Sequence, residues 1–262
     1  MNLFEAVLLG LFQGLTEFLP VSSSGHLVLI QNLLGLNEPG VTLEVLLHFG
    51  TLLAVFLVFG KDFVALLKFY RDEYQRHFLV MLILGVFVTG ILGLMFGKYI
   101  ELLFSSTLIV GFMLMITGII IILIKIIPHG QKSLADMKPL DAVLIGLLQA
   151  FAIVPGISRS GTTILTALWR GLDRDAAVRF SFMLSAPVIL GATLVEAKEL
   201  LTTELESVML FNYLAGTLVA FISGVFAIKI FIKMLSGSKF HYFAYYCWAI
   251  GLIVIIISLI NN

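Results

Sequence analysis

Charge is what this sequence has least of. Only 12% of its 262 residues are Asp, Glu, Lys or Arg, against 60% hydrophobic residues and a mean hydropathy of +1.09. A water-soluble domain of this size could not hide that much apolar surface, so lipid must solvate most of it. The sixteen basic residues balance the sixteen acidic ones, which excludes the basic footprint of a nucleic-acid binder. Cys247 is the single cysteine, so an internal disulfide is excluded. Residues 1 to 25 hold no Lys or Arg but do hold Glu5 and Glu17, a poor match to a secretory signal peptide.

Against this apolar background stand two short polar stretches. One runs from Gln13 through Glu17, Pro20, Ser22, Ser23, Ser24 and Gly25 to His26; the other runs from Gln149 through Pro155, Gly156, Ser158, Arg159, Ser160 and Gly161 to Thr163. A shift of 136 positions lays Gly10 on Gly146, Gln13 on Gln149, Ser22 on Ser158, Ser24 on Ser160 and Gly25 on Gly161. Each copy is an apolar helical run, a proline-containing break, a serine cluster, then glycine and a second helix start. A spacing of four puts Gln13 and Glu17 on one helix face, and a serine at the break can cap the helix that carries His26. The pieces are too short and too polar at their junction to cross a bilayer twice. They read as re-entrant pairs of half-helices over about 2–36 and 140–171, since irregular backbone at membrane depth needs protein or a polar cavity around it.

Between and after these stretches lie six apolar spans, near 43–60, 78–97 and 106–127, then 180–197, 210–233 and 242–260. A charged soluble linker (Lys61, Asp62, Lys68, Arg71, Asp72, Glu73, Arg76) joins the first two. The division is a first repeat over 1–127, a polar linker over 128–139 and a second repeat over 140–262. Glycines 85 and 93 find counterparts at 216 and 224 and permit close helix packing. Three full spans per half is an odd number, so the second copy enters the membrane inverted, and broken helices from both halves meet near the midplane. Residues 1–42 and the loops 98–105 and 198–209 carry only Lys98 and Lys198, whereas fourteen Lys and Arg lie on the other side. The positive-inside rule then turns both termini away from the cytoplasm. The fold class expected is an all-α integral membrane protein with an inverted-topology repeat, six transmembrane helices and two re-entrant helix pairs.

A charge inside a bilayer costs about 2.5–3.5 kcal/mol on insertion scales, so Glu17 and Arg159 need each other or a ligand. An arginine fork suits phosphate oxygens. The serine–glycine breaks put hydroxyls and free backbone N–H groups at helix starts, where an anion is favoured; the binding candidates are Gln13, Ser24, Gly25, Ser158, Ser160, Gly161 and Thr163. Hydrolysis further needs a nucleophile, for which Ser23, His26 and water are candidates, and a proton carrier, for which His26 is the usual choice. Glu17 could orient His26, act as base, or hold a divalent cation bridging phosphate oxygens. Plainer roles exist for several residues: Ser22 and Thr163 as caps, Glu17 and Arg159 as a structural ion pair, and Arg170, Arg174 and Arg179 as cytoplasmic anchors. Glu44 and His48, one turn apart, face either the cavity or the interface. Ser181, Ser185 and Pro187 kink a span or line the cavity, and the 22 phenylalanines are expected as lipid-facing bulk.

The pattern Gln13-x-x-x-Glu17 followed by Pro20-Val21-Ser22-Ser23-Ser24-Gly25-His26, with Pro155-Gly156-x-Ser158-Arg159-Ser160-Gly161-x-Thr163, resembles the bacterial undecaprenyl-diphosphatase family, also called the bacitracin-resistance proteins. The similarity extends to length, span count and repeat; Gln13 stands where some members have Glu. The resemblance implies an integral-membrane hydrolase of the bacterial cytoplasmic membrane that removes the terminal phosphate of undecaprenyl diphosphate for wall synthesis. It also implies catalytic roles for Glu17, Ser23, His26 and Arg159, support by a divalent cation (Mg2+ or Ca2+), and a site opening to the outer face. The expected partners are the polyprenyl diphosphate, the membrane lipids and, as an assembly left open, a second copy in a homodimer. The chief rival is a transporter or flippase for a polyprenyl phosphate or another organic anion, because inverted repeats with broken helices are also a transporter plan. A second membrane phosphatase superfamily shares a Ser-Gly-His, but its Lys-x6-Arg-Pro element is missing here.

Overall fold

The computed structural model describes residues 1–36, 40–128, 130–200, 207–235 and 240–260. Helix α1 (Leu3–Phe18) ends at the Pro20 break and is followed by α2 (Ser23–Leu33). Then come α3 (Gly40–Val58), α4 (Gly60–Leu66), α5 (Glu73–Glu101) and α6 (Thr107–Ile126). After a 3-10 turn (Leu134–Asp136), the order is taken up again by α7 (Pro139–Phe151), α8 (Arg159–Trp169), α9 (Arg174–Leu200), α10 (Ser207–Leu235) and α11 (Tyr242–Ile260). No strand occurs among the described residues; one isolated bridge joins Lys132 and Leu172. The protein is all-α.

Helices α5, α6, α9, α10 and α11 are each long and apolar enough to cross a bilayer. Helices α3 and α4, bent by 75° at their junction, are long and apolar enough for a sixth crossing only when taken together as one span. That bend differs from the expected straight span and soluble linker: Lys61 and Asp62 sit on α4, and the chain turns at Phe59 and Gly60. Helix α5 begins earlier than expected because the Asp72 carboxylate accepts from the N–H groups of Tyr74 and Gln75. Helix α9 continues through Pro187 without a break in its range. The loop near 198–209 and Lys239 fall largely or wholly outside the described residues.

Two helix contacts set the frame. Helix α1 lies along α10, and α7 lies along α5. Both contacts are backbone against backbone: a Cβ on Gly10 would stand 2.2 Å from the Gly216 carbonyl oxygen, and one on Gly146 would stand 2.5 Å from that of Gly85. In lipid, where no hydrophobic force drives helices together, such small-residue contacts gain dispersion energy. Helix α3 then lies against α10 and α9, α5 against α9, and α6 against α11, where the Trp248 indole N–H donates to the Met115 carbonyl at 3.0 Å.

The phenylalanines divide into two sets. Phe87, Phe96, Phe112 and Phe226 face outward as lipid-facing bulk, whereas Phe18, Phe78, Phe180, Phe182 and Phe231 are fully buried. The expectation of bulk alone is therefore corrected. Phe182 is a hub whose ring centroid lies 5.6 Å from Phe18, 5.5 Å from Phe59 and 5.5 Å from Phe231. Flat rings fill the gap where α1, α3, α9 and α10 converge, and tilted pairs are favoured by the ring quadrupole.

Candidate active site

The two breaks touch each other. Ser22 caps α2 by accepting from the Gly25 N–H at 3.3 Å, and the same oxygen accepts from the Gly156 N–H at 3.1 Å. Ser158 caps α8 by accepting from the Gly161 N–H at 3.1 Å. The Thr117 hydroxyl of α6 donates to the Gly156 carbonyl at 2.7 Å and accepts from the Ser158 N–H at 3.0 Å. A Cβ on Gly25 would lie 3.0 Å from the Gly156 Cα, so side chains there would part the breaks. Gly156 has φ +95, a value that glycine adopts without steric cost. The amides of Gly25 and Gly161, expected to be free for an anion, are thus already taken by the chain's own serines.

This contact carries Glu17 to Arg159. One oxygen of the Glu17 carboxylate accepts from Arg159 Nη2 at 2.9 Å; the other accepts from the Ser23 hydroxyl at 2.6 Å and from Gln13 Nε2 at 3.1 Å. His48 Nε2 stands 3.9 Å from that second oxygen. The Glu17 side chain is 5% exposed and that of Arg159 15%. Their pairing answers the cost of holding either charge within a bilayer. Arg159 Nη1 is buried with no hydrogen-bond partner.

A cavity of about 210 Å³ opens beside the pair. Of the residues singled out from the sequence, Glu17, Ser22, Ser23, Ser24, Ser158 and Arg159 line it, together with Glu44 and His48. Gln13 does not line it and reaches it only through Glu17. His26 is also elsewhere. Its Nδ1 bonds the Ser22 carbonyl at 2.7 Å and its Nε2 bonds the Tyr246 hydroxyl of α11 at 2.8 Å, with the two rings stacked at 5.6 Å. Gly25 and Gly161 serve the break, Ser160 bonds the Leu19 carbonyl at 3.4 Å, and Thr163 donates to the Arg159 carbonyl and meets Ser181. Ser181 and Ser185 bond within the protein and do not line the cavity.

A family model described as "Bacitracin resistance protein BacA" matches residues 6–253. The chain belongs to this family. Among curated relatives it is 47% identical to an undecaprenyl-diphosphatase of Halothermothrix orenii, over 98% of this chain and 99% of the relative. It is 42% identical to an undecaprenyl-diphosphatase of Alkaliphilus metalliredigens (99% of this chain, 100% of the relative) and 38% identical to one of Methanosphaera stadtmanae (99% of each).

In this bacitracin-resistance protein the cations kept apart from the site are Arg170 and Arg179. Arg170 Nε donates to the buried Asp141 at 2.7 Å, with Lys132 at 3.6 Å from the same carboxylate, and Arg179 pairs with Asp62. Neither lines the cavity. Residues that sequence reasoning did not place in the site are Thr89 of α5, Gln149 of α7 and Thr193 of α9, all lining the cavity. The signal available for Gln149 was its register with Gln13. For a threonine in an apolar span no local signal exists.

Whether the site suits a divalent cation turns on Glu17. Among the described residues no three His, Cys, Asp or Glu side chains gather as metal ligands. An ionised carboxylate has about four acceptor positions, and Glu17 spends three of them on Arg159, Ser23 and Gln13. One position stays open for a hard cation, which takes the remainder of its shell from substrate oxygens and water. The donor set fits a cation of that kind and no all-protein cage.

Proposed function

We infer that this chain is a membrane phosphatase that hydrolyses undecaprenyl diphosphate to undecaprenyl phosphate and inorganic phosphate. The carrying observation is a buried carboxylate that holds a hydroxyl from its own half at 2.6 Å and a guanidinium from the other half at 2.9 Å, beside a cavity. A nucleophile, a base in hydrogen-bond reach and a third group orienting the base form the recurring signature of an activated nucleophile. Inverted repeats alone would equally suit a transporter, but a transporter has no use for the Ser23–Glu17 pair.

In this reading Ser23 Oγ attacks the terminal phosphorus and gives its proton to Glu17. The P–O bond to the inner phosphate breaks, its electron pair leaves with the prenyl monophosphate, and the phosphoryl group rests on Ser23. Water then adds to that phosphorus, the Ser23 oxygen leaves and regains a proton, and phosphate is released. Arg159 faces the charge that develops on the phosphoryl oxygens, where a preorganised donor in a water-poor site is most effective. A divalent cation held through the open position on Glu17 would add Lewis-acid stabilisation of the same charge. His26 holds the serine break against α11 through Tyr246 and so fixes where Ser23 stands.

The cavity, at about 210 Å³, is below the size of a drug-like site and takes a headgroup only. Its apolar wall, Leu27 and Val28 of α2, Phe104, and Val188, Ile189 and Ala192 of α9, is where the tail would leave sideways into lipid. The lysine and arginine imbalance supports placing both termini on the extracytoplasmic side, the family resemblance supports a site opening to the same face, and light-scattering mass in detergent tests the homodimer. The deciding test is phosphate release from a polyprenyl diphosphate by purified wild type and Ser23→Ala. Wild-type binding without release would support transport, and full activity of Ser23→Ala would remove the serine from the reaction.

A further inference from the structure

The second repeat has an unspent acceptor of its own. Gln149 is 1% exposed, lines the cavity, and its Oε1 has no hydrogen-bond partner. Which end of this amide stays free is fixed by its neighbours. The Thr89 hydroxyl lies 2.9 Å from the Gly85 carbonyl and 2.9 Å from the Gly146 carbonyl, and 3.0 Å from Gln149 Nε2. Carbonyls only accept, so the hydroxyl hydrogen goes to them and the hydroxyl oxygen must accept from the Gln149 NH2. Oε1 is therefore left over, locked in place by α5.

An acceptor-only oxygen is an odd thing to find in an anion cavity. A fully ionised diphosphate brings only acceptors, which Oε1 would repel, and an unpaired buried polar atom costs about 1–3 kcal/mol. Two further unpartnered buried groups line the same cavity: the donor Arg159 Nη1 and the hydroxyl Thr193 Oγ1. The repeat register sharpens the contrast. Gln13 and Gln149 correspond, but where the first copy has Glu17 the second has Ile153. The second half thus offers an amide without a carboxylate, a neutral wall that accepts one hydrogen bond.

We propose that Gln149, oriented by Thr89, is a further substrate-site residue whose Oε1 binds a hydrogen-bearing oxygen of the phosphoryl centre, while Arg159 Nη1 takes an unprotonated one. Two species bring such an oxygen: a phosphate carrying its own hydroxyl, and the water that releases phosphate from Ser23. Thr89 is a positioning residue here, and Thr193 lends its hydroxyl to the same oxygen cluster. The proposal rests on the phosphatase reading for its substrate but not for its geometry.

The test compares wild type, Gln149→Leu, Thr89→Val and Thr89→Ser in detergent, measuring kcat, KM, inhibition by inorganic phosphate and thermal unfolding. Gln149→Leu is expected to lose about 5- to 100-fold in kcat/KM, the range one buried hydrogen bond commands. Thr89→Val shifts kcat and KM in the same direction, and Thr89→Ser restores them. Weakened phosphate inhibition in Gln149→Leu assigns the hydrogen to phosphate itself; unchanged inhibition with a fallen kcat assigns it to water. Wild-type kcat, KM and inhibition in both Gln149→Leu and Thr89→Val overturn the proposal, and Thr89→Ser no better than Thr89→Val removes the orienting role. Should the wild type release no phosphate, the phosphatase reading fails. Heat protection by methylene diphosphonate, expected in wild type and lost in Gln149→Leu, then decides the inference on its own, with equal protection overturning it.

Discussion

The Ser22 hydroxyl oxygen accepts the backbone N–H of Gly156 at 3.1 Å, joining the two halves of the chain across 134 positions. Ser22 does this at φ 69 and ψ 100, the one described non-glycine residue at positive φ, a backbone conformation that costs a side-chain-bearing residue free energy. Ser22→Ala keeps that cost and strands the Gly25 and Gly156 amides, each about 1–3 kcal/mol if unsatisfied. Ser22→Gly strands the same amides but relieves the backbone. Thermal unfolding in detergent is expected to rank wild type above Ser22→Gly and Ser22→Gly above Ser22→Ala. A variant melting with the wild type would mean that this bridge holds nothing.

Arg159 and Arg170 are both paired arginines, yet their losses should differ in kind. Arg159→Ala is expected to reduce kcat by at least about 100-fold, as when an oxyanion-hole donor is removed. Arg170→Ala leaves the cavity intact but leaves buried Asp141 with only Lys132 and the Lys138 N–H, so stability falls, by up to about 3–5 kcal/mol, while the kcat of folded enzyme holds. Steady-state kinetics beside unfolding curves separate the two; equal kcat losses would put Arg159 outside the site.

Glu17 and Arg159 should also couple energetically. Removing one partner leaves the other charge buried, so Glu17→Gln and Arg159→Ala each destabilise while the double variant costs less than their sum. A double-mutant cycle on unfolding free energy checks this, and additive losses would show no interaction.

The glycine contacts are open to a volume test. Gly10→Ala and Gly146→Ala each force a Cβ onto a facing carbonyl, 2.2 Å and 2.5 Å away. Overpacking of that sort costs about 1–3 kcal/mol. Lower unfolding temperatures are expected for both, against no loss for Gly97→Ala, where a Cβ meets nothing within 4 Å and alanine favours the helix.

The proposed cation would be held at the one open acceptor position of Glu17. Excess chelator should abolish turnover and added Mg2+ or Ca2+ should restore it, with Glu17→Asp needing more cation than wild type. Full turnover in chelator would take the metal role from Glu17.

Much of the site was legible because its polar residues stand alone in apolar surroundings. The four-residue step from Gln13 to Glu17 is kept in α1 as a direct hydrogen bond, and the need of Glu17 for a cation is met by Arg159. Illegible parts depend on contacts between distant segments. Thr89 bonding the Gly85 carbonyl is ordinary helix behaviour; only the approach of α7 gives it Gln149 to orient. His26 was expected at the chemistry on its sequence neighbours, but it faces α11 while Leu27 and Val28 line the cavity, and its partner Tyr246 is 220 positions away with nothing local to mark it. The bend after α3 was hidden because Lys61 and Asp62 follow the apolar run at once and read as a soluble linker, not as the first turn of the short helix α4.

The contact of α1 with α10 carries a consequence for how the protein is made. Helix α1 finds its main partner only once Ser207–Leu235 has been synthesised, about 10–40 s later at usual rates of about 5–20 residues per second. For the first part of that interval, about 7–28 s until Arg159 follows 142 positions later, the carboxylate at position 17 waits in nascent chain without its guanidinium. An early nascent chain therefore lacks both the helix and the cation that stabilise this segment in the finished protein.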